Sequence, residues 1–215
     1  LSFVLFLFFL LHQAYAFGQT PYYPEKIWAG KSASAVGMEQ VLLDSAVALA
    51  IGSENKVERD LRIANFKAYA REPNYTILGP MKERGAPAGL IIKNGYIVAQ
   101  WGDIERVDMT LSLTKSYLST VAGLAVDKGL IKDVNDPVNR YVWDGTFDGI
   151  HNDKVTWKHL LLQTSDWSGC QFGTCDWADR PPKDGNIEDW KNRPMVDPGS
   201  KFEYNDTRVN LLAYS

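Results

Sequence analysis

The stretch Leu111-Ser112-Leu113-Thr114-Lys115-Ser116-Tyr117-Leu118-Ser119-Thr120 sets a hydroxyl and an amine at i and i+3 in an otherwise apolar pattern. On a helix that spacing puts both side chains on one face. Leu118, Val121, Leu124, Ala125 and Val126 carry the pattern on to Gly129, and Leu113, Tyr117 and Ala122 make it apolar nearly all round, as expected of a buried central helix. A lysine in such a setting is poorly solvated. Desolvation disfavours the ammonium form, so Lys115 is expected to sit neutral near neutral pH and to take the proton from Ser112. Unpaired N–H groups and the positive end of the helix dipole stabilise negative charge beside the first turn, where Ser112 attacks.

The same Ser-x-x-Lys spacing recurs at Ser53-Glu54-Asn55-Lys56, within the polar run Gly52–Asp60. Nothing there desolvates the lysine or holds the serine still, so that copy reads as a solvated turn. The apolar helical setting is what separates Ser112 and Lys115 from it.

With 215 residues, 45% of them hydrophobic, the chain is long enough for one domain with a real core. A net charge of −3 without any Lys/Arg cluster argues against a nucleic-acid partner. Leu1–Leu11 is apolar apart from Ser2 and is followed by His12, Gln13 and Ala14-Tyr15-Ala16, which reads as the core and cleavage site of a signal peptide. The run is short for a bilayer span, which makes a membrane anchor the weaker alternative. The chain starts at Leu1 without Met and stops at Ser215 inside the apolar run Val209–Tyr214, so it is read as a piece of a longer protein. Cys170 and Cys175 lie in a loop rich in Gly, Asp and Trp; one local disulfide in an oxidising compartment suits them better than half of a zinc site, since His12, His151 and His159 form no ligand motif with them.

Several elements follow from local pattern. Phe17–Gly37 is an extended leader, Met38–Ile51 has helical spacing, and Leu61–Tyr69 fits a strand or a short helix. Gly89–Lys93 and Tyr96–Gly102 are β-rich runs around Asn94-Gly95, which predicts a two-residue hairpin turn. Gly129 ends the central helix, and Val155–Gln163 reads as a helix capped by Thr156. Thr164–Gly199 is mostly loop, and with Trp167, Trp177 and Trp190 in it and Trp157 just before, the region forms either a pocket wall or an aromatic cover over a core. Tyr204, in Asp197-Pro198-Gly199-Ser200-Lys201-Phe202-Glu203-Tyr204-Asn205-Asp206-Thr207, falls at a loop-to-helix junction from which a phenol hydroxyl can enter a cleft for general acid/base work.

Taken together, Ser112-Leu113-Thr114-Lys115-Ser116, Gly129-Leu130-Ile131 with Asp136-Pro137-Val138, Val155–Ser165, and Pro198-Gly199 before Tyr204-Asn205-Asp206 stand in the order found in β-lactamase-related serine hydrolases. Over Arg84–Ser215 the chain resembles the branch containing class C β-lactamases, related esterases and 6-aminohexanoate-dimer hydrolases. The resemblance implies an α+β fold of the two-layer β-lactamase/transpeptidase type, with an antiparallel sheet flanked by helices and its C-terminal part missing here. The domain plan is then a signal remnant at 1–16, an extension at 17–80 and a truncated hydrolase domain at 81–215.

It also implies Ser112 as acylated nucleophile, Lys115 as activating base and Tyr204 as shared proton-transfer group, with the N–H of Ser112 in the oxyanion hole. Asn205, Asp206 and Trp167 are the candidate substrate-binding residues. Three departures accompany the match. The usual Tyr-x-Asn reads Tyr204-Asn205-Asp206; the usual Ser-Gly reads Ser165-Asp166; and no Lys-Thr-Gly or His-x-Gly follows Tyr204 before Ser215. In the family that third motif lies on a strand bordering the Gly89–Gly102 hairpin. The expectation is thus an exported, periplasmic or secreted, serine hydrolase acting on a small ester, amide or peptide-like substrate, with no cofactor, metal, nucleic-acid partner or stable membrane span. The alternative is a non-catalytic exported protein that binds a ligand or the cell wall on the same fold.

Overall fold

The computed structural model describes residues 22–215; the expected signal segment at 1–16 lies outside them. The described residues form two compact units that interleave in sequence, one from 22–57 and 84–107, the other from 58–83 and 108–215. The chain changes unit at 57/58, 83/84 and 107/108.

In the first unit, helix α1 (Gln40–Gly52) lies against the second strand of a hairpin, β1 (Gly89–Lys93) and β2 (Tyr96–Trp101). Asn94 and Gly95 both take positive φ, 53° and 82°, as the two-residue turn demands. The register slips between Ile91 and Ile92, leaving Val98 as the extra residue of a bulge, and the segment around Gly30 runs parallel to β2 at Ile97. Arg84 ties down the polar run after α1: its guanidinium donates to Glu54 at 2.8 Å and to the carbonyls of Asn55 and Val57 at 2.9 and 2.6 Å. Ser53 and Lys56 sit in that exposed turn.

The second unit opens with α2 (Leu61–Tyr69), so the ambiguous segment is helical, capped by the Asp60 carboxylate on the Arg62 N–H at 2.9 Å. A single 3₁₀ turn, Leu111–Leu113, leads into α3 (Thr114–Asp127). Gly129, at φ 70°, ends α3 with Gly129 N–H on Val126 and Leu130 N–H on Ala125, the paired bonds of a left-handed helix stop. Next comes α4 (Trp157–Leu161), closed by reciprocal bonds of 3.2 Å between Thr156 and His159. The short pair β3 (Cys170–Gln171) and β4 (Thr174–Cys175) sets the two cysteines opposite one another, joined in a disulfide. Helices α5 (Ile187–Lys191) and α6 (Asp206–Tyr214) complete the unit.

Its core is Ile131, Val138, Phe147, Val155, Trp157, Leu160, Trp167 and Leu211. Trp167 of the loop region and Trp157 at the start of α4 are therefore core. Trp167 is 2% exposed and its indole N–H donates to the Thr146 carbonyl at 2.8 Å, so it is not available to a substrate, contrary to the sequence expectation. The central helix also differs from expectation. Only Ala122 of α3 is buried, while Tyr117, Val121 and Leu124 are exposed, because the core of this unit meets one side of the helix only.

Behind the core lies a buried ionic network. Arg208, 2% exposed, donates to Asp166 (2.8 Å), Asp176 (3.1 Å), Glu203 (2.7 Å) and the Trp167 carbonyl (3.0 Å). Arg193 adds a 2.6 Å bond to Asp166. Asp166 takes φ 42°, a left-handed conformation that suits glycine and that aspartate tolerates. Its other oxygen accepts the Val196 N–H at 2.7 Å, so three donors hold the turn that a Ser-Gly sequence would make by flexibility.

Candidate active site

The 3₁₀ turn places Ser112 at the head of α3, after Leu111 in the left-handed region at φ 47°. A leucine there is strained by about 1–3 kcal/mol, which is the kind of backbone outlier found where a side chain must be aimed. The Ser112 hydroxyl meets the Tyr204 hydroxyl at 2.7 Å. Tyr204 reaches it from the extended residues that precede α6. One helical turn along from Ser112, the Lys115 ammonium stands 4.8 Å from the Tyr204 ring centroid and 2.6 Å from Asp206 Oδ1.

Asp206 opens α6, where the helix dipole favours a carboxylate. Its second oxygen accepts from Arg180 Nη2 at 2.8 Å, and its backbone N–H donates to the Asp179 carboxylate. Arg180 in turn pairs with Asp179 at 2.9 Å and lies over the Tyr204 ring, 4.5 Å from its centroid. The order around the site is therefore Ser112, Tyr204, Lys115, Asp206, Arg180, Asp179.

These neighbours fix the charges. Partial burial pulls the Lys115 ammonium down, but its hydrogen bonds to Asp206 and Tyr204 outweigh that and hold it above the ordinary lysine value. The ammonium form is therefore the favoured one, against the sequence expectation of a neutral amine: desolvation is present, and Asp206 and Tyr204 together outweigh it. Asp206 is held below the ordinary carboxylate range, since Lys115 and Arg180 together overcome its desolvation. Asp179 and Glu72 are pushed up, in both cases chiefly by burial.

The Asp206 shift has a testable sign. Its carboxyl titrates lower folded than unfolded, so its stabilisation is complete above the unfolded value and is lost as pH falls through the folded one. Asp206→Asn is expected to lose less Tm than the wild type between about pH 6 and about pH 2.5; equal losses by calorimetry would reject the pairing.

A cavity of about 590 Å³ opens onto Ser112, lined also by Tyr69, Leu111, Lys115, Tyr117 and Asp206. Asn205 does not face it. It is buried at the start of α6, its Oδ1 capping the Arg208 N–H at 3.0 Å and its Nδ2 donating to the Asp176 carbonyl at 2.8 Å. Both ends of the amide are thus engaged within the fold, so Asn205 serves as a helix cap, in correction of its expected substrate role. Asp206 lines the cavity with both oxygens engaged by cations. Arg180 and Asp179 were missed by sequence reasoning; Asp179-Arg180 carries no motif, and the only hint was its place in the tryptophan-rich loop. Among the described residues no cluster of His, Cys, Asp and Glu is arranged to hold a metal ion.

A serine at a helix head, hydrogen-bonded to a tyrosine and one turn from a lysine, is an arrangement that can support acyl transfer. The Beta-lactamase family model matches residues 90–214, and the chain belongs to that family, the β-lactamase-related serine hydrolases. No curated protein and no solved structure matches it.

Proposed function

We propose that this protein is an exported serine hydrolase that cleaves an ester or amide bond through an acyl-enzyme on Ser112. The observation that carries the reading is the 2.7 Å contact between the Ser112 and Tyr204 hydroxyls, beside the Lys115 ammonium. Ser112 Oγ attacks the carbonyl carbon while its proton passes to the Tyr204 oxygen. To take this proton the Tyr204 oxygen must first have given up its own, and the positive charge on Lys115 offsets the negative charge that oxygen then carries, so lysine acts as a fixed cation and tyrosine as the proton carrier. The carbonyl oxygen becomes the oxyanion and takes the Ser112 backbone N–H. On collapse the C–O or C–N bond breaks and the leaving group receives the proton from Tyr204. Water then attacks the acyl carbon, gives its proton to Tyr204, and Ser112 leaves with that proton restored. Export is supported by the apolar Leu1–Leu11 run with its Ala14-x-Ala16 triplet and by the Cys170–Cys175 disulfide.

A fluorophosphonate probe should phosphonylate Ser112, with Ser112 Oγ displacing fluoride. Ser112→Ala is expected to abolish labelling at this position, as read by mass spectrometry of the modified peptide. Labelling of the variant as strong as wild type sinks the assignment. The competing reading, a non-catalytic binding protein, draws on Asp206 in place of the usual asparagine. It predicts no labelling of the wild type, and ligand binding that survives Ser112→Ala.

A further inference from the structure

Arg180 enters the site from the tryptophan-rich loop and is held at several points. Its backbone N–H donates to Glu72 at 3.1 Å, Nη1 donates to both Asp179 oxygens at 2.9 Å, and Nη2 donates to Asp206 at 2.8 Å. The guanidinium also faces two rings, Tyr204 at 4.5 Å and Tyr69 at 5.6 Å from the centroids. Asp206 consequently carries one cation on each oxygen, Lys115 on Oδ1 and Arg180 on Oδ2.

That division matters for the nucleophile. A carboxylate paired with Lys115 alone would set its whole negative charge against the ammonium and beside Tyr204, opposing the negative charge that the tyrosine oxygen must carry in order to accept the Ser112 proton. A second cation on the far oxygen offsets it, and a planar fork fixes the carboxylate where a flexible lysine would not. We propose that Arg180 is a positioning residue for the Ser112–Tyr204 pair, acting through Asp206 and coupling the seating of the loop to the reactivity of the serine. The proposal rests on Ser112 being the nucleophile. The charged and titratable groups that face this couple are Lys115 from α3, Tyr69 and Glu72 from α2 and the turn after it, Asp179 from the loop, and Tyr204 just before α6.

The test is a double-mutant cycle on the whole chain, read as the second-order rate of Ser112 phosphonylation at neutral pH. Arg180→Gln is expected to slow labelling about tenfold, the size of one lost charge-assisted hydrogen bond. Asp206→Asn is expected to speed it several-fold. In the Asp206→Asn background, Arg180→Gln should cost less than about twofold, because the carboxylate through which it acts is gone. The same tenfold loss in both backgrounds would show a merely structural or direct effect and overturns the proposal. Arg180→Lys keeps a cation without the fork and covers the case in which the glutamine variant melts without cooperativity. Its rate should fall between wild type and Arg180→Gln, and a lysine variant as slow as or slower than the glutamine variant overturns the proposal equally. A wild type unlabelled at Ser112 removes the hydrolase reading and this one with it; a labelled wild type with additive effects removes this one alone.

Discussion

Arg208→Met is expected to destabilise the unit built from residues 58–83 and 108–215 by about 3–5 kcal/mol, the usual cost of removing one partner from a buried ion pair. In thermal unfolding this amounts to a Tm lower by about 10 °C for a unit of this size. The reason lies in what the methionine leaves behind. Asp166, Asp176 and Glu203 converge on the Arg208 guanidinium, and Asp166 and Asp176 are themselves almost fully buried. Arg193 holds Asp166 and lies 3.4 Å from Glu203, so it can neutralise part of the remaining charge but not all of it. The Trp167 carbonyl loses its donor as well, and Trp167 belongs to the core. Methionine fills much of the same volume, so packing is nearly conserved and the loss reports the uncompensated carboxylates. A change under about 1 kcal/mol would mean that water reaches the network and that it behaves as a surface cluster.

That network marks the limit of what the sequence disclosed. Features governed by neighbours in the chain were legible: the Asn94-Gly95 turn, the Thr156 cap, the Gly129 stop and the Ser112/Lys115 spacing each need only a few residues of context. Tyr204 was legible as a loop-to-helix tyrosine, but its contact with Ser112 spans 92 residues and entered through the family resemblance alone. Charged residues misled most. Asp166, Asp176, Asp179, Arg180, Arg193 and Arg208 lie in or beside a loop whose tryptophans alone drew a reading, yet they pair across 26 to 42 residues and build the two ionic clusters on which the site rests. Lys115 went wrong for the same reason: its burial followed from the apolar pattern, whereas the carboxylate that cancels the effect of burial comes from 91 residues away. Periodicity also cannot tell a core tryptophan from a cleft tryptophan, and Trp167 proved to be the former.

Tyr204→Phe is expected to lower the rate of Ser112 acylation by about 10²–10⁴, the contribution typical of a positioned proton carrier. The substitution removes one oxygen. It leaves the ring under the Lys115 and Arg180 cations, 4.8 and 4.5 Å from its centroid, so the helix head and the loop keep their packing. What is lost is the 2.7 Å partner of the Ser112 hydroxyl. Lys115 cannot replace it as an acceptor, because Asp206 holds it as an ammonium with no free electron pair. The rate should therefore recover in part in Tyr204→Phe/Asp206→Asn, where the amine is released from its carboxylate and can take the proton itself. Stopped labelling by a fluorophosphonate probe across pH separates the possibilities. A phenylalanine variant within about threefold of wild type would show that the proton leaves Ser112 by another route, and a double variant no faster than Tyr204→Phe would show that Asp206 is not what keeps Lys115 charged.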